Sequence, residues 1–90
     1  VTAPTRRTLA LAGAIVAAGL SALWVGVVPD RAGTTTGLQA SAIRWGHPGA
    51  WALLAALGLA VAADAPTRLR DVLAWSALAC YAAFVVALLL

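Results

Sequence analysis

Asp64-Ala65-Pro66-Thr67-Arg68-Leu69-Arg70-Asp71 gathers four of the nine charged side chains of the protein into eight positions. Two acids and two arginines so close together are either a chemical site or the polar turn between two apolar segments. The flanks decide. Upstream, residues 48–63 carry no charge over 16 positions, and downstream residues 72–90 carry none over 19. A third uncharged run, residues 8–28, covers 21 positions. At 1.5 Å per helical residue, a run of about 20 matches a hydrocarbon layer roughly 30 Å thick.

Composition agrees. Of the 90 residues, 63% are hydrophobic and 10% charged, whereas soluble domains carry about 25% charged residues. Mean hydropathy is +0.96. The sequence therefore predicts an all-α integral membrane protein, a single domain with three transmembrane helices over residues 8–28, 48–63 and 72–90. An outer loop over 29–47 and an inner turn over 64–71 join them. Within the loop, residues 38–45 are expected to form a short interfacial helix, with Leu38, Ala42, Ile43 and Trp45 dipping inward.

The charges then mark borders. Arg6 and Arg7 precede the first run, Arg68 and Arg70 lie in the 64–71 turn, and the loop between the first two runs holds Arg31 and Arg44. Four arginines against two favour a cytoplasmic tail and turn. Three crossings also require those two segments to share a side, which gives an N-in, C-out arrangement. Arg6, Arg7, Arg68 and Arg70 are thus expected to set topology and touch lipid headgroups, with Arg68 or Arg70 pairing with Asp64. Asp71 is placed to cap the third helix, and Pro48, with His47 near the cap, to open the second. Pro29 and Asp30 end the first run and Pro66 the second. Trp45 and Trp51 flank the start of the middle run as interfacial anchors would.

The middle run is short, and seven of its 16 residues are alanine. A weakly apolar span is better accommodated against protein than against lipid, so this helix is expected to be the most protein-packed. In lipid, small residues let helices approach closely. The stripes that offer this are Gly13, Ala17 and Ser21 in the first run, Ala52, Ala56 and Ala60 in the second, and Ser76, Cys80, Ala83 and Ala87 in the third. Leu73, Trp75, Leu78, Phe84 and Leu88 would then point to lipid or to another subunit. A hydroxyl at the depth of Tyr81 is expected at a helix contact. Cys80 reads as a packing thiol.

His47, the single histidine, is the one candidate for a proton, quinone or haem contact. The reading as a helix-start residue in the headgroup region is preferred, because a haem with two axial histidines would need one from elsewhere. No ionisable residue falls inside the three uncharged runs, although such residues mark proton relays and ion paths. No glycine-rich phosphate loop, metal-ligand spacing or nucleophile with a base is legible. No catalytic residue, metal ligand or cofactor is assigned, and no enzyme is expected. Arginines at the borders of apolar runs, with none gathered on one solvated face, also argue against nucleic acid as a partner.

Arg6 and Arg7 in TRRTLAL look like a twin-arginine export signal, but two positive charges before a 21-residue apolar run are also what an inside-facing first helix needs. The segment is expected to stay uncleaved. Alanine-heavy composition without lysine, and an initial Val1 as a GTG codon gives, look like a GC-rich bacterial genome. The expected location is a bacterial cytoplasmic (inner) membrane. The expected role is a small accessory or stabilising subunit whose partners are other integral membrane subunits and the bilayer. The alternative is a self-oligomerising element. Holins are similar in length and span number but usually end in a charged tail, where this chain ends VVALLL. Small multidrug exporters resemble the chain in size and hydrophobicity but depend on a buried glutamate that has no counterpart here.

Overall fold

The computed structural model describes residues 2–90. Four helices follow one another: α1 (Ala3–Gly26), α2 (Arg31–Thr34), α3 (Gly37–Ala62) and α4 (Thr67–Leu89). Three of them, α1, α3 and α4, are long and apolar enough to cross a membrane. The single turn α2 rests on α3. The long helices run up, down and up in one layer with α3 in the middle, packed against α1 on one side and α4 on the other. The layer measures 48 × 24 × 15 Å, so it is little thicker than one helix.

The middle helix is longer than the sequence predicts. Residues 37–47 are helical and continuous with the middle span, so the separate interfacial helix over 38–45 and most of the outer loop 29–47 are corrected. Pro48 lies inside α3 and does not open it. A proline in a helix interior withholds one N–H, here from the carbonyl of Arg44, and such a loss is tolerated where neighbouring helices stabilise the segment. They do so here. Ile43 is fully buried against Phe84 and Ala87 of α4, and Gln39 Nε2 donates to the Ala87 carbonyl at 3.1 Å. From α1, the Ser21 hydroxyl donates to the Pro48 carbonyl at 2.8 Å. At 26 residues α3 is about 39 Å long, ample for a crossing. Arg44 and His47 consequently fall within this helix. Arg44 donates to the Val25 carbonyl at 3.1 Å, where α1 ends, and its guanidinium lies 4.5 Å from the centre of the Trp45 ring.

The turn that opened the sequence reading closes in a specific way. Asp64 adopts a left-handed backbone (φ 54°), a conformation aspartate tolerates better than most residues. Ala65 N then donates to the Ala60 carbonyl at 2.9 Å and Asp64 N to the Val61 carbonyl at 3.2 Å. This pair of bonds is the Schellman closure, which satisfies the last carbonyls of α3. Pro66 caps α4, so Asp71, expected at that cap, is the fifth residue of the helix, and the inner turn narrows to residues 63–66. Asp64 pairs with Arg6 at 2.8 Å, instead of with Arg68 or Arg70, and Arg70 donates to Thr67. Arg7 Nε adds a bond of 3.1 Å to the Ala62 carbonyl. The start of α1 and the α3–α4 turn therefore share one end of the layer. Because the Arg6 and Asp64 side chains are both more than half exposed, Asp64→Asn, which keeps the left-handed tolerance and removes the charge, is expected to cost less than about 1 kcal/mol. Unfolding in mixed micelles checks this.

The packing seams follow a spacing of alternating threes and fours. On α1, Ala14 and Ala17 are buried and Ala10, Ser21 and Trp24 half-buried. Ala17 and Ser21 lie on the seam as the small-residue spacing suggests, but Gly13 lies off it, with open space around it. A strict four-residue stripe drifts by 40° per step around a helix of 3.6 residues per turn, whereas a seam between two helices holds an average near 3.5. The same drift applies to the stripe on α3, whereas on α4, where the spacing is 4, 3, 4, the seam is centred on Ala77, Phe84 and Ala87, to one side of the stripe. On α3, Ala60 is buried and Ala56 half-buried, but Ala52 is exposed; on α4, Ser76 and Cys80 are half-buried and Ala87 buried, but Ala83 is exposed. Phe84, expected to point away, is in the core at 8% exposure, and Leu73 and Leu88 are half-buried. Trp75 and Leu78 do face outward.

Two glycines on α3 make the close approaches. A methyl group on Gly58 would stand 2.9 Å from the Ala10 carbonyl oxygen and 3.0 Å from Ala14 Cβ, on the α1 side. One on Gly46 would stand 2.8 Å from Phe84 Cβ and 3.0 Å from the Cys80 carbonyl oxygen, on the α4 side.

Candidate functional site

Continuous helix through Gly46-His47-Pro48-Gly49 carries the only imidazole into the middle of the layer. All three long helices surround it. Trp24 of α1 has its ring centre 4.5 Å away, while Phe84 of α4 lies nearly parallel (21°) at 5.0 Å. Tyr81, one turn before Phe84 on α4, is at 5.5 Å, and Trp51, one turn further along α3, is at 6.4 Å. His47 is therefore not a helix cap. It is the centre of an aromatic cage.

The hydrogen bonding fixes its chemistry. Trp51 Nε1 lies 3.1 Å from His47 Nε2. An indole nitrogen can only donate, so Nε2 must hold its lone pair, and the neutral ring carries its proton on Nδ1. Nδ1 is covered by the surrounding protein and has no partner. An orphaned buried donor is costly and uncommon. We expect ¹⁵N spectra of His47-labelled protein to show the Nδ1–H tautomer. In Trp51→Phe, with the indole donor removed, that preference should weaken visibly towards a mixture of the two tautomers.

Beside the cage, between α3 and α4, runs a groove of about 360 Å³. Ala50 and Leu54 form one wall and Ala74, Ala77 and Leu78 the other, with His47, Trp51 and Tyr81 supplying its polar edges. Among the hydrogen bonds of the described residues, none uses the Tyr81 hydroxyl, and Tyr81 is 46% exposed. The hydroxyl, expected at a helix contact, thus finds none, while the ring packs on His47 of α3 and 6.1 Å from Phe84 of its own helix. An apolar concavity with a few polar groups is the usual form of a small-molecule site, and its volume is near the lower end of the common range. Two further concavities are larger. One, about 670 Å³, is an apolar groove between α1 and α3 that includes Gly13, and the other, about 400 Å³, lies at the Arg6–Asp64 end.

Taken singly in the sequence, His47 gives no sign of the cage. The signal was present in the i, i+4 spacing of His47 and Trp51, which share a face only if the helix passes through Pro48. Cys80 lies at the α3–α4 seam, its carbonyl against Gly46, as a packing residue. Among the described residues, no group of three or more His, Cys, Asp or Glu side chains is arranged to hold a metal. Of the topology residues, Arg6 is tied to the α3–α4 turn and Arg7 to the end of α3, and Arg68 is exposed on the first turn of α4. No protein-family model matches the chain, and neither the curated proteins nor the solved structures contain a significant match to it.

Proposed function

We propose that the protein is a small accessory or stabilising subunit of a larger assembly in a bacterial inner membrane, with its N-terminus in the cytoplasm and no catalysis of its own. One observation carries this reading. Packing within the chain uses both sides of α3 but one side each of α1 and α4, whose outer sides remain apolar and uncovered. Ile15 (73% exposed), Leu9, Val16 and Leu23 crowd the first, and Trp75 (70%), Leu78 and Val86 the second. A one-layer raft of helices is suited to lie along the flank of a larger membrane protein, where close packing replaces lipid contacts. The gathering of Arg6, Arg7, Arg68 and Arg70 at one end supports the orientation, since arginine is enriched on the cytoplasmic side.

Extraction in mild detergent followed by native electrophoresis and mass spectrometry should find the protein migrating with larger membrane subunits. Migration as a lone monomer, together with intact membrane complexes after its deletion, would remove the accessory role. A reporter fused after Leu90 is expected to be active outside the cytoplasm. The second reading, a self-assembling membrane element such as a holin-like pore or small channel, draws support from the groove around Gly13, whose open space leaves room for a helix of another copy. Dye retention by vesicles densely loaded with this protein alone would exclude it.

A further inference from the structure

The groove between α3 and α4 joins two hydrogen-bond donors without partners to a wall of apolar side chains. We propose that it binds a lipophilic molecule with a flat, carbonyl-bearing head, of the quinone class, whose carbonyl oxygen accepts from Tyr81 and His47.

The chemistry of the donors selects the ligand. Trp51 occupies Nε2, so the imidazole can offer only its Nδ1 proton, and Nδ1 has no partner in the fold. The Tyr81 ring centre lies 5.5 Å from that of His47, and Tyr81 lines the groove. Two donors on adjacent rings suit one oxygen with two lone pairs, which a carbonyl provides. The Tyr81 hydroxyl meets the ligand at the open side. His47 Nδ1, covered by its neighbours, is reached when the exposed Tyr81 ring moves aside, so that the Trp51 bond to Nε2 is kept. A charged head would lose its hydration without gaining an ion pair, since no charged side chain lines the groove. The remaining lining is alanine and leucine with the Trp51 ring, surfaces against which a planar head and an alkyl tail both pack. Position agrees as well, because His47 lies about 15 Å along α3 from its start, within the length that crosses the bilayer. The ligand would therefore enter sideways from the lipid.

The same chemistry is available from two sources, a membrane quinone or the ester carbonyl of a phospholipid. The test uses the full chain in nanodiscs, with Trp45→Phe and Trp75→Phe removing the exposed indoles so that Trp24 and Trp51, beside His47, report. Titration with a short-chain alkyl benzoquinone is expected to give saturable quenching. Tyr81→Phe, which keeps the ring, and Ala74→Phe, which fills the groove from an exposed position, should each weaken the affinity tenfold or more. His47→Phe should do the same. Unsaturable quenching that is equal in the parent and all three variants, as partitioning into lipid alone would give, overturns the proposal. Ether-linked discs separate the sources. Equal affinity in ester- and ether-linked lipid supports a quinone as the occupant, whereas affinity several-fold higher in ether-linked discs, abolished by Tyr81→Phe, supports the lipid ester as resident carbonyl.

Discussion

Gly46→Leu is expected to part α3 from α4 and to destabilise the fold by about 3 kcal/mol, the upper part of the range for overpacking. The reason is that the obstruction includes backbone. A Cβ at this position would meet Phe84 Cβ at 2.8 Å, Cys80 O at 3.0 Å and Phe84 Cα at 3.2 Å. None of these is the end of a flexible side chain, so relief requires a shift of the whole helix. In lipid, close approach is itself the main source of association between helices, and a widened seam forfeits it along its length. Cys80 provides the measurement. As the single cysteine, half-buried at this seam, it should be alkylated by a maleimide markedly faster in Gly46→Leu than in the parent protein. Unfolding in mixed micelles should begin at lower denaturing-detergent fraction. An unchanged alkylation rate would mean that α4 does not pack on Gly46. Gly13→Leu is the matched control, because a side chain there enters open space.

The contrast between Gly46 and Gly13 shows what sequence could supply. Three apolar runs bounded by arginine and aspartate were legible because the cost of an ion in hydrocarbon is large and local, and it is written in the order of the residues. Seam phase was not. In so alanine-rich a chain every face of every helix carries small residues, and spacing alone cannot distinguish Gly13, where an added methyl would meet nothing, from Gly58, where it would meet α1. A glycine inside a helix costs roughly 1 kcal/mol relative to alanine, and that cost is the better pointer to close approach. It directs attention to Gly46 and Gly58, though equally to Gly13 and Gly19. The extent of α3 was hidden for a related reason. Pro48 is a strong local breaker, but contacts with residues distant in sequence, Ile43 with Phe84, Gln39 with Ala87 and Pro48 itself with Ser21, hold the helix together up to and at the proline. The aromatic cage depends on that continuity, so it became visible only with the fold.

Phe84→Ala is expected to destabilise by up to about 3 kcal/mol, near the lower end of the range for removing a buried phenylalanine from a soluble core. The lower end applies because the unfolded reference in a membrane is a set of separated helices in lipid, so exposure of the ring to water contributes little. What is lost is contact. Phe84 fills the space over Gly46, packs with Ile43 and Ala87, and forms the stacked wall of the cage at 5.0 Å from His47. Trp75→Ala removes a larger ring from the same helix, yet Trp75 is 70% exposed, and its loss should leave the isolated protein within about 0.5 kcal/mol of the parent. The pair discriminates between the two faces of α4. If Trp75→Ala proved the more damaging in isolated, monomeric protein, the assignment of Phe84 to the inner face would be wrong. Under the accessory role proposed above, the order should change for assembly in the native membrane: Trp75→Ala should release the protein from its complex without loosening its own fold. Phe84→Ala should do the converse, loosening α4 and letting the His47 ring reorient, which the ¹⁵N tautomer signal would register even where the helix content stays unchanged.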